Sequence, residues 1–284
     1  MTDAVIRLEG ATLAYGERVV WRDLSMAVER GSFVAVLGPN GSGKTSLLRV
    51  ILGLSPLAGG TVEVLGAPAR RGHPAIGYIP QQHDIDRDLP LRGRDFVGLG
   101  FDGHRWGPGG PSRERERKTN DAIASVGATA FADVAVGRLS GGEQQRLRIA
   151  QALVGAPELL LCDEPLAHLD LHHQREVARL IGDWQRSSGR TVVFVTHDVN
   201  PILDVVDRVV FVVDGRWAFG PPDDVLTAPR LSALYGSTVD VIRIGRRLLV
   251  VGEELDTGVE HDEPHGPLVG QQRDLVVPGH RIGR

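Results

Sequence analysis

The stretch Val34-Ala35-Val36-Leu37-Gly38-Pro39-Asn40-Gly41-Ser42-Gly43-Lys44-Thr45 restricts the fold more than any other part of the chain. An apolar, β-branched run ends in a glycine-rich turn, and residues 45–52 then carry the pattern of a helix. This is G-x-x-x-x-G-K-[ST], the phosphate-binding loop, in the strand-to-helix context that gives the pattern meaning. Gly41 and Gly43 let the backbone wrap closely round a phosphate with its N–H groups turned inward. The positive end of the helix that starts near Lys44 acts on the same anion. Lys44 is expected to reach the outer phosphates, and the Thr45 hydroxyl to ligate Mg²⁺. A nucleoside triphosphate is the implied ligand.

Composition narrows the classes that remain. At 284 residues with 42% apolar content, the chain can bury a sizeable core as one large domain or two small ones. A formal net charge of −4 argues against a broad nucleic-acid-binding surface. A single cysteine, Cys162, excludes an intrachain disulfide framework and suits a reducing cytoplasm. The start, Met1-Thr2-Asp3-Ala4-Val5, lacks the basic flank and apolar core of a signal peptide. No stretch approaches the roughly 18–20 apolar residues that span a bilayer, so any membrane role would be borrowed from another chain.

Val5–Leu8 and Ala11–Tyr15 alternate as two short strands joined at Gly10, and Trp21–Val28 alternates similarly. Tyr15 is either a packed strand aromatic or a π-face for an adenine. After the phosphate loop, Gly59-Gly60 marks a turn into a strand at Thr61–Leu65, and Ile76-Gly77-Tyr78-Ile79-Pro80 is a further strand, followed by Gln81. Residues 82–138 then change character. They hold a Gly/Pro-rich loop at Gly98–Pro111 and a charged helix at Arg113–Val126, and with the next helix they form a helical insertion at about 82–155. The mixed-sign run Arg113–Lys118 reads as a solvated helix face.

Leu139-Ser140-Gly141-Gly142-Glu143 opens a helix that runs to about Val154. Small residues and free N–H groups there make a second anion site, or else Ser140 is an N-cap with Glu143 completing a capping box. Leu159-Leu160-Leu161-Cys162 reads as a buried parallel strand ending in Asp163-Glu164, where doubly wound sheets place their chemistry. Asp163 suits the Mg²⁺ shell and Glu164 a general base, although adjacent acids at a strand end sometimes only cap a helix. Cys162 fills a core position. His172–Ser187 is helical, Thr191–Val195 is another buried strand, and it ends at Thr196-His197-Asp198, with His197 a candidate γ-phosphate sensor. A helix is expected from Asp198, with Pro201 in its first turn. A hairpin round Asp214-Gly215, short helices to Tyr235 and a strand pair at Val239–Ile244 and Leu248–Val251 follow. Residues 252–284 read as a mobile tail. Its His261, His265 and His280 lack the regular spacing of a metal site.

Together these residues resemble the ATP-binding subunit of an ATP-binding-cassette (ABC) transporter over roughly residues 5–251. The resemblance rests on the Walker A run Gly38–Thr45, the signature Leu139–Glu143, and the Walker B strand ending in Asp163-Glu164. It also takes in Gln81 (the Q-loop), Leu169-Asp170 (the D-loop) and His197 (the switch histidine). Tyr15 matches the family's adenine-stacking aromatic, which settles its alternatives. The implied fold is α/β, a P-loop NTPase core with an antiparallel β subdomain and a helical insertion subdomain. The implied ligands are ATP and Mg²⁺. Gly38, Pro39, Asn40, Gly41, Ser42, Gly43, Lys44, Thr45 and Ser46 would bind nucleotide with Tyr15. Ser140, Gly141, Gly142 and Asp170 would do so from a facing subunit of a head-to-tail homodimer. Thr45, Asp163 and Gln81 would serve the metal, Glu164 would polarise the attacking water, and Lys44, His197 and Gln81 would assist. Glu143 stands where the family usually has glutamine.

The resemblance further implies integral-membrane permease subunits as partners, an extracytoplasmic binding protein acting indirectly, and a location on the cytoplasmic face of the cell membrane. Residues 76–86, the insertion through Trp106, 196–201 and the C-terminal strand pair are similar to importers of manganese, zinc or iron. The run 164–170 with Gln174 leans instead toward importers of siderophores, haem or cobalamin, and the metal-ion group matches at more positions. A DNA-repair ABC ATPase would carry a long or cysteine-bearing insertion, and a translation-associated one a second cassette. Neither is present in this sequence.

Overall fold

The computed structural model describes residues 4–81, 86, 88–103 and 112–252. Ala4–Tyr15 (β1) and Arg18–Glu29 (β2) form the first hairpin, and Phe33–Leu37 (β3) leads through the glycine turn into Lys44–Ile51 (α1). Gly59–Val64 (β4), Ala67–Pro68 (β5) and Ile76–Ile79 (β6) precede three helices, Gly93–Asp102 (α2), Arg113–Ser125 (α3) and Gly141–Leu153 (α4). Leu159–Asp163 (β7), Leu171–Ser188 (α5) and Thr191–Val195 (β8) continue the α/β alternation. Arg208–Val213 (β9) and Arg216–Gly220 (β10) form a hairpin, then Pro222–Val225 (α6), Ala228–Tyr235 (α7), Val239–Ile244 (β11) and Arg247–Gly252 (β12) complete the described chain.

Three sheets result. The central one has the order β10-β9-β3-β8-β7-β6, parallel except for β10. An antiparallel sheet, β2-β1-β4-β5, lies apart from it, and β11 and β12 pair alone. Every residue of β3, β7 and β8 is buried, because both faces of a parallel sheet are covered. The strand period sorts their side chains into two cores. Phe33, Ala35, Leu37, Leu160, Cys162, Val192 and Phe194 face the core shared with α2–α5. Val34, Val36, Leu159, Leu161, Val193 and Val195 face the other, where α1 lies between the central and antiparallel sheets through Leu47, Leu48, Val50 and Ile51. Cys162 is a core residue as expected, and burial pushes its thiol pKa up.

Four local expectations are corrected. Gly10 does not separate two strands, and Gly59-Gly60 is not a turn. A β-carbon on Gly60 would lie 2.3 Å from the Gly10 carbonyl oxygen, and both glycines have positive φ. They form a close approach within β1 and β4, where the register shifts between Glu9 and Thr12. The stretch from Gly98 is helix, not loop, up to Asp102. Gly100 there lets α2 approach α4, since a β-carbon would sit 2.1 Å from the Gln151 carbonyl oxygen. No helix starts at Asp198. The Thr196 hydroxyl accepts from Asp198 N at 3.2 Å, and Asp198 Oδ1 accepts from Asn200 N at 2.9 Å. These side chains satisfy the backbone locally, and 202–205 continue in short turns, Ile202 N to Val199 O and Val205 N to Ile202 O.

The charged face of α3 is solvated as expected, with Ser112 capping it and Lys118 paired to Glu114 at 3.2 Å. The remainder of the Gly/Pro-rich loop, at 104–111, lies outside the described residues, as do the 253–284 tail and its three histidines. Among the described residues no helix is long and apolar enough to cross a membrane. Phe194 is fully buried with its ring 5.6 Å from that of Phe33. Phe194→Ala is therefore expected to destabilise the fold by about 3–5 kcal/mol, read as a lowered denaturant midpoint. A loss below about 1 kcal/mol would mean that this core can collapse round the cavity.

Candidate nucleotide site

The turn after β3 is shaped by contacts that exclude side chains. Gly38 has φ 143°, and a β-carbon there would lie 2.0 Å from the Val212 carbonyl oxygen. Gly43, at φ 98° just before α1, would place one 2.3 Å from Val20 Cγ1. The turn is thus held between β9 and β2, with its concave side open. Lys44 is only 5% exposed, and its Nζ donates to the carbonyls of Gly38 at 2.9 Å and Pro39 at 2.8 Å. Burial lowers its pKa, against the pull of Glu164 and Asp163. Ser42 Oγ is buried without a hydrogen-bond partner among the described residues.

β7 delivers the acids. The Thr45 hydroxyl donates to Asp163 Oδ1 at 3.0 Å, and the Tyr78 hydroxyl donates to Asp163 Oδ2 at 3.3 Å. Burial raises the Asp163 pKa despite these bonds. Tyr78 is itself pushed up to about 12, by burial first and then by the charge of Asp163, so it remains a donor near neutral pH. Glu164 follows with φ 46°, a left-handed conformation rare for a residue with a side chain, and its N–H is held by the Val195 carbonyl at 3.0 Å. Such a backbone is costly unless its surroundings fix it, and this one aims a side chain that is 17% exposed. His197 Nδ1 lies 3.8 Å from Glu164 Oε2.

Glu164 borders three cavities, two of them against the phosphate turn. One, of about 470 Å³, is lined by Tyr15, Arg18, Val20, Asn40, Gly41, Gly43, Lys44, Thr45, Ser46 and Gln81 together with Glu164. The other, of about 420 Å³, holds His197 against Gly38, Pro39 and Asn40. Most of the expected site therefore converges, with His197 lining the second cavity and not the first. The Tyr15 hydroxyl lies within 3.5 Å of Ser46 and 3.4 Å of Ser55 at the rim of the first cavity. A buried lysine resting on carbonyls, a buried carboxylate beside a hydroxyl and an orphan Ser42 hydroxyl together fit a phosphate chain with its divalent ion. Thr45 and Asp163 could hold the ion and the turn the phosphates.

Ser140, Gly141, Gly142 and Asp170 line neither cavity. Ser140 and Glu143 make the capping box of α4, with Ser140 N donating to Glu143 Oε2 at 2.9 Å. Asp170 caps α5 through the N–H groups of His172 and His173, both at 2.9 Å, and its Oδ2 meets His173 Nδ1 at 2.7 Å. The capping-box reading of Ser140 and Glu143 is present in the single chain, and Asp170 is a cap as well. Three lining or supporting residues escaped the sequence analysis: Arg18, Val20 and Tyr78. Arg18 pairs directly with Tyr15 across the hairpin, and alternation carries Val20 to the same face, so the strand period was the available signal.

A glycine turn between a buried strand and a helix, with paired acids at the end of a neighbouring parallel strand, defines a P-loop nucleotide-binding domain. The family model described as ABC transporter matches residues 21–167, and the chain belongs to that family. The manganese transport system ATP-binding protein MntB of Bacillus subtilis is 32% identical over 242 residues, covering 84% of this chain and 95% of its own length. The zinc import ATP-binding protein ZnuC of Paramagnetospirillum magneticum is 35% identical over 282 residues, covering 99% and 100%. A phosphonates import ATP-binding protein of Stutzerimonas stutzeri reaches 36% over 255 residues, covering 84% of this chain and 92% of its own. Among solved structures, an inward-facing transporter described as of metal-chelate type superposes with a TM-score of 0.74 at 26% identity, covering 88% of this chain and 97% of its own.

The close approach of Val20 leaves no room for a β-carbon at Gly43, as Val212 leaves none at Gly38. Gly43→Ala is expected to weaken Mg-ATP binding by at least about tenfold, or about 1.4 kcal/mol, in a calorimetric titration. Unchanged affinity would show that Val20 can give way without disturbing the phosphate cradle.

Proposed function

We propose that this chain is the ATP-hydrolysing subunit of an ABC importer that moves manganese, zinc or iron ions through a separate permease at the cytoplasmic face of the membrane. The observation that carries the hydrolytic half is the left-handed Glu164. Its carboxyl borders the cavity that holds Lys44 and Thr45, with His197 within 3.8 Å. Lys44 would exchange the Gly38 and Pro39 carbonyls for phosphate oxygens, and Tyr15 would offer its ring to the base. Glu164 would orient and deprotonate the attacking water, with His197 beside it facing the terminal phosphate. Thr45 and Asp163, with Gln81 at the rim, would hold Mg²⁺, which supplies charge neutralisation of the phosphates.

The head-to-tail homodimer is part of the same reading. Ser140-Gly141-Gly142 present the N-terminus of α4 away from both cavities of their own chain, so a facing subunit is what would bring them to phosphate. The metal-ion substrate is supported by the manganese and zinc relatives, and the ZnuC likeness extends over nearly the whole chain. The phosphonate relative and the metal-chelate structure make those substrates the natural competitors. An extracytoplasmic binding protein would deliver the ion to the permease.

Glu164→Gln is expected to slow ATP hydrolysis by about 10²–10⁴-fold and to leave an ATP-bound dimer on size exclusion. Only monomer with Mg-ATP, with and without the permease, would sink the dimer. Cells carrying Lys44→Ala and grown under metal limitation are expected to lose manganese, zinc or iron selectively, measured as total cellular metal. Unchanged metals with failed growth on a phosphonate or an iron chelate would reassign the substrate.

A further inference from the structure

A cavity larger than the nucleotide site shares no lining residue with it. It measures about 770 Å³ and lies between α5, the turns at 198–205 and the tip of the β11–β12 hairpin. Five arginines line it, Arg175, Arg179, Arg186, Arg246 and Arg247, against two aspartates, Asp198 and Asp204. Arg186 is matched by Asp183 at 2.7 Å and Arg246 by Asp204 at 3.4 Å. Asp198 Oδ1 is taken by the backbone and side-chain nitrogens of Asn200. Arg175, Arg179 and Arg247 have no carboxylate partner among the described residues. Three unpaired guanidinium groups from two elements thus converge on one concavity in a chain of net negative charge. The rest of the lining includes Leu203 and Leu249, apolar surface that suits an organic body rather than bare solvent.

We propose that this cavity binds a small, multiply charged phosphate-bearing anion and that its occupation restrains the switch segment. Guanidinium forks match phosphate oxygens bidentately, and the volume lies within the range of small-molecule sites, roughly 300–1,000 Å³. The route to the catalytic side is short and continuous. Asn200 Nδ2 donates to the Leu248 carbonyl at 3.0 Å, and Leu248 N donates to Asn200 Oδ1 at 2.8 Å. One side chain therefore ties the hairpin bearing Arg247 to the segment that begins at His197. The same segment seats on α5 at Gly182, where a β-carbon would lie 2.8 Å from Val205 Cγ1. An anion that bridges Arg175 and Arg179 on α5 to Arg247 on the hairpin closes this triangle, holds His197 against Glu164 and slows turnover.

Binding is tested independently of catalysis, by calorimetry with pyrophosphate on Lys44→Ala protein without Mg²⁺. One site per chain is expected, and its affinity should fall at least about tenfold when Arg175→Ala, Arg179→Ala and Arg247→Ala are combined. Arg247→Ala alone, at a hairpin tip, gives a partial loss in a variant with an unchanged melting profile. No binding, or binding indifferent to the arginines, overturns the site. The regulatory half rests on the proposed ATPase. At saturating ATP and constant free Mg²⁺, pyrophosphate should lower kcat in the wild type. At pyrophosphate concentrations that saturate its own measured binding, Asn200→Ala should lose the effect, and an unaltered wild-type kcat overturns the coupling. Absence of any hydrolysis would count against the ATPase reading and leave the binding result standing.

Discussion

The close packing of the phosphate turn between two sheets is the constraint on which the rest depends. Val212 on β9 and Val20 on β2 leave no room for a β-carbon at Gly38 or Gly43. The first contact belongs to the central sheet and the second to the antiparallel one, so the turn is fixed only where both sheets are correctly docked. α1, buried between them by Leu47, Leu48, Val50 and Ile51, is the element that sets their separation. Its N-terminus is also the anion-binding end. The helix that joins the two sheets is therefore the helix that points at the phosphates, and binding geometry follows from core packing rather than from loop preference.

The parallel sheet then brings acids to that turn without further machinery. β3 and β8 are neighbours and β7 lies next to β8, so their C-terminal ends place Lys44, His197 and Glu164 on one edge. This edge was legible in the sequence because fully buried strands read as unbroken apolar runs, and each run stops where its chemistry begins. What escaped depended on contacts between distant residues. Gly10 and Gly60 each look like a strand break alone, and only their mutual approach makes them one bulge. Gly100 resembles a loop glycine until α4 is known to press against it. At 198–200 a helical reading was defeated by two polar side chains, Thr196 and Asp198, that satisfy the backbone themselves.

The candidate site shows the same division. Motif residues were legible because their spacing is local: Lys44 and Thr45 follow the glycines, and Glu164 follows its strand. Tyr78 was not, because its bond to Asp163 crosses from β6 to β7 and nothing near it in sequence announces a partner. For α5 the sequence showed only a helical pattern over His172–Ser187. Leu171, Arg175, Arg179 and Arg186 share a stripe on that helix, but only the turns at 198–205 and the hairpin tip convert the stripe into the wall of a cavity.

The isolated β11–β12 pair is where these arguments meet. Two strands alone are marginal in water, and this pair turns Ile242, Ile244, Leu249 and Val251 outward to solvent while Val239 and Leu248 are buried. Its attachment to the body is correspondingly narrow. Val239 and Leu248 pack on the core face, and Asn200 makes both backbone hydrogen bonds to Leu248. A lightly anchored hairpin, joined to the switch segment by Asn200 and by the exposed Arg246–Asp204 pair, can move with little loss of buried surface, unlike the fully buried strands of the central sheet. Local stability of this kind concentrates motion at the weakest attachment, here the connection that leads from Arg247 to His197.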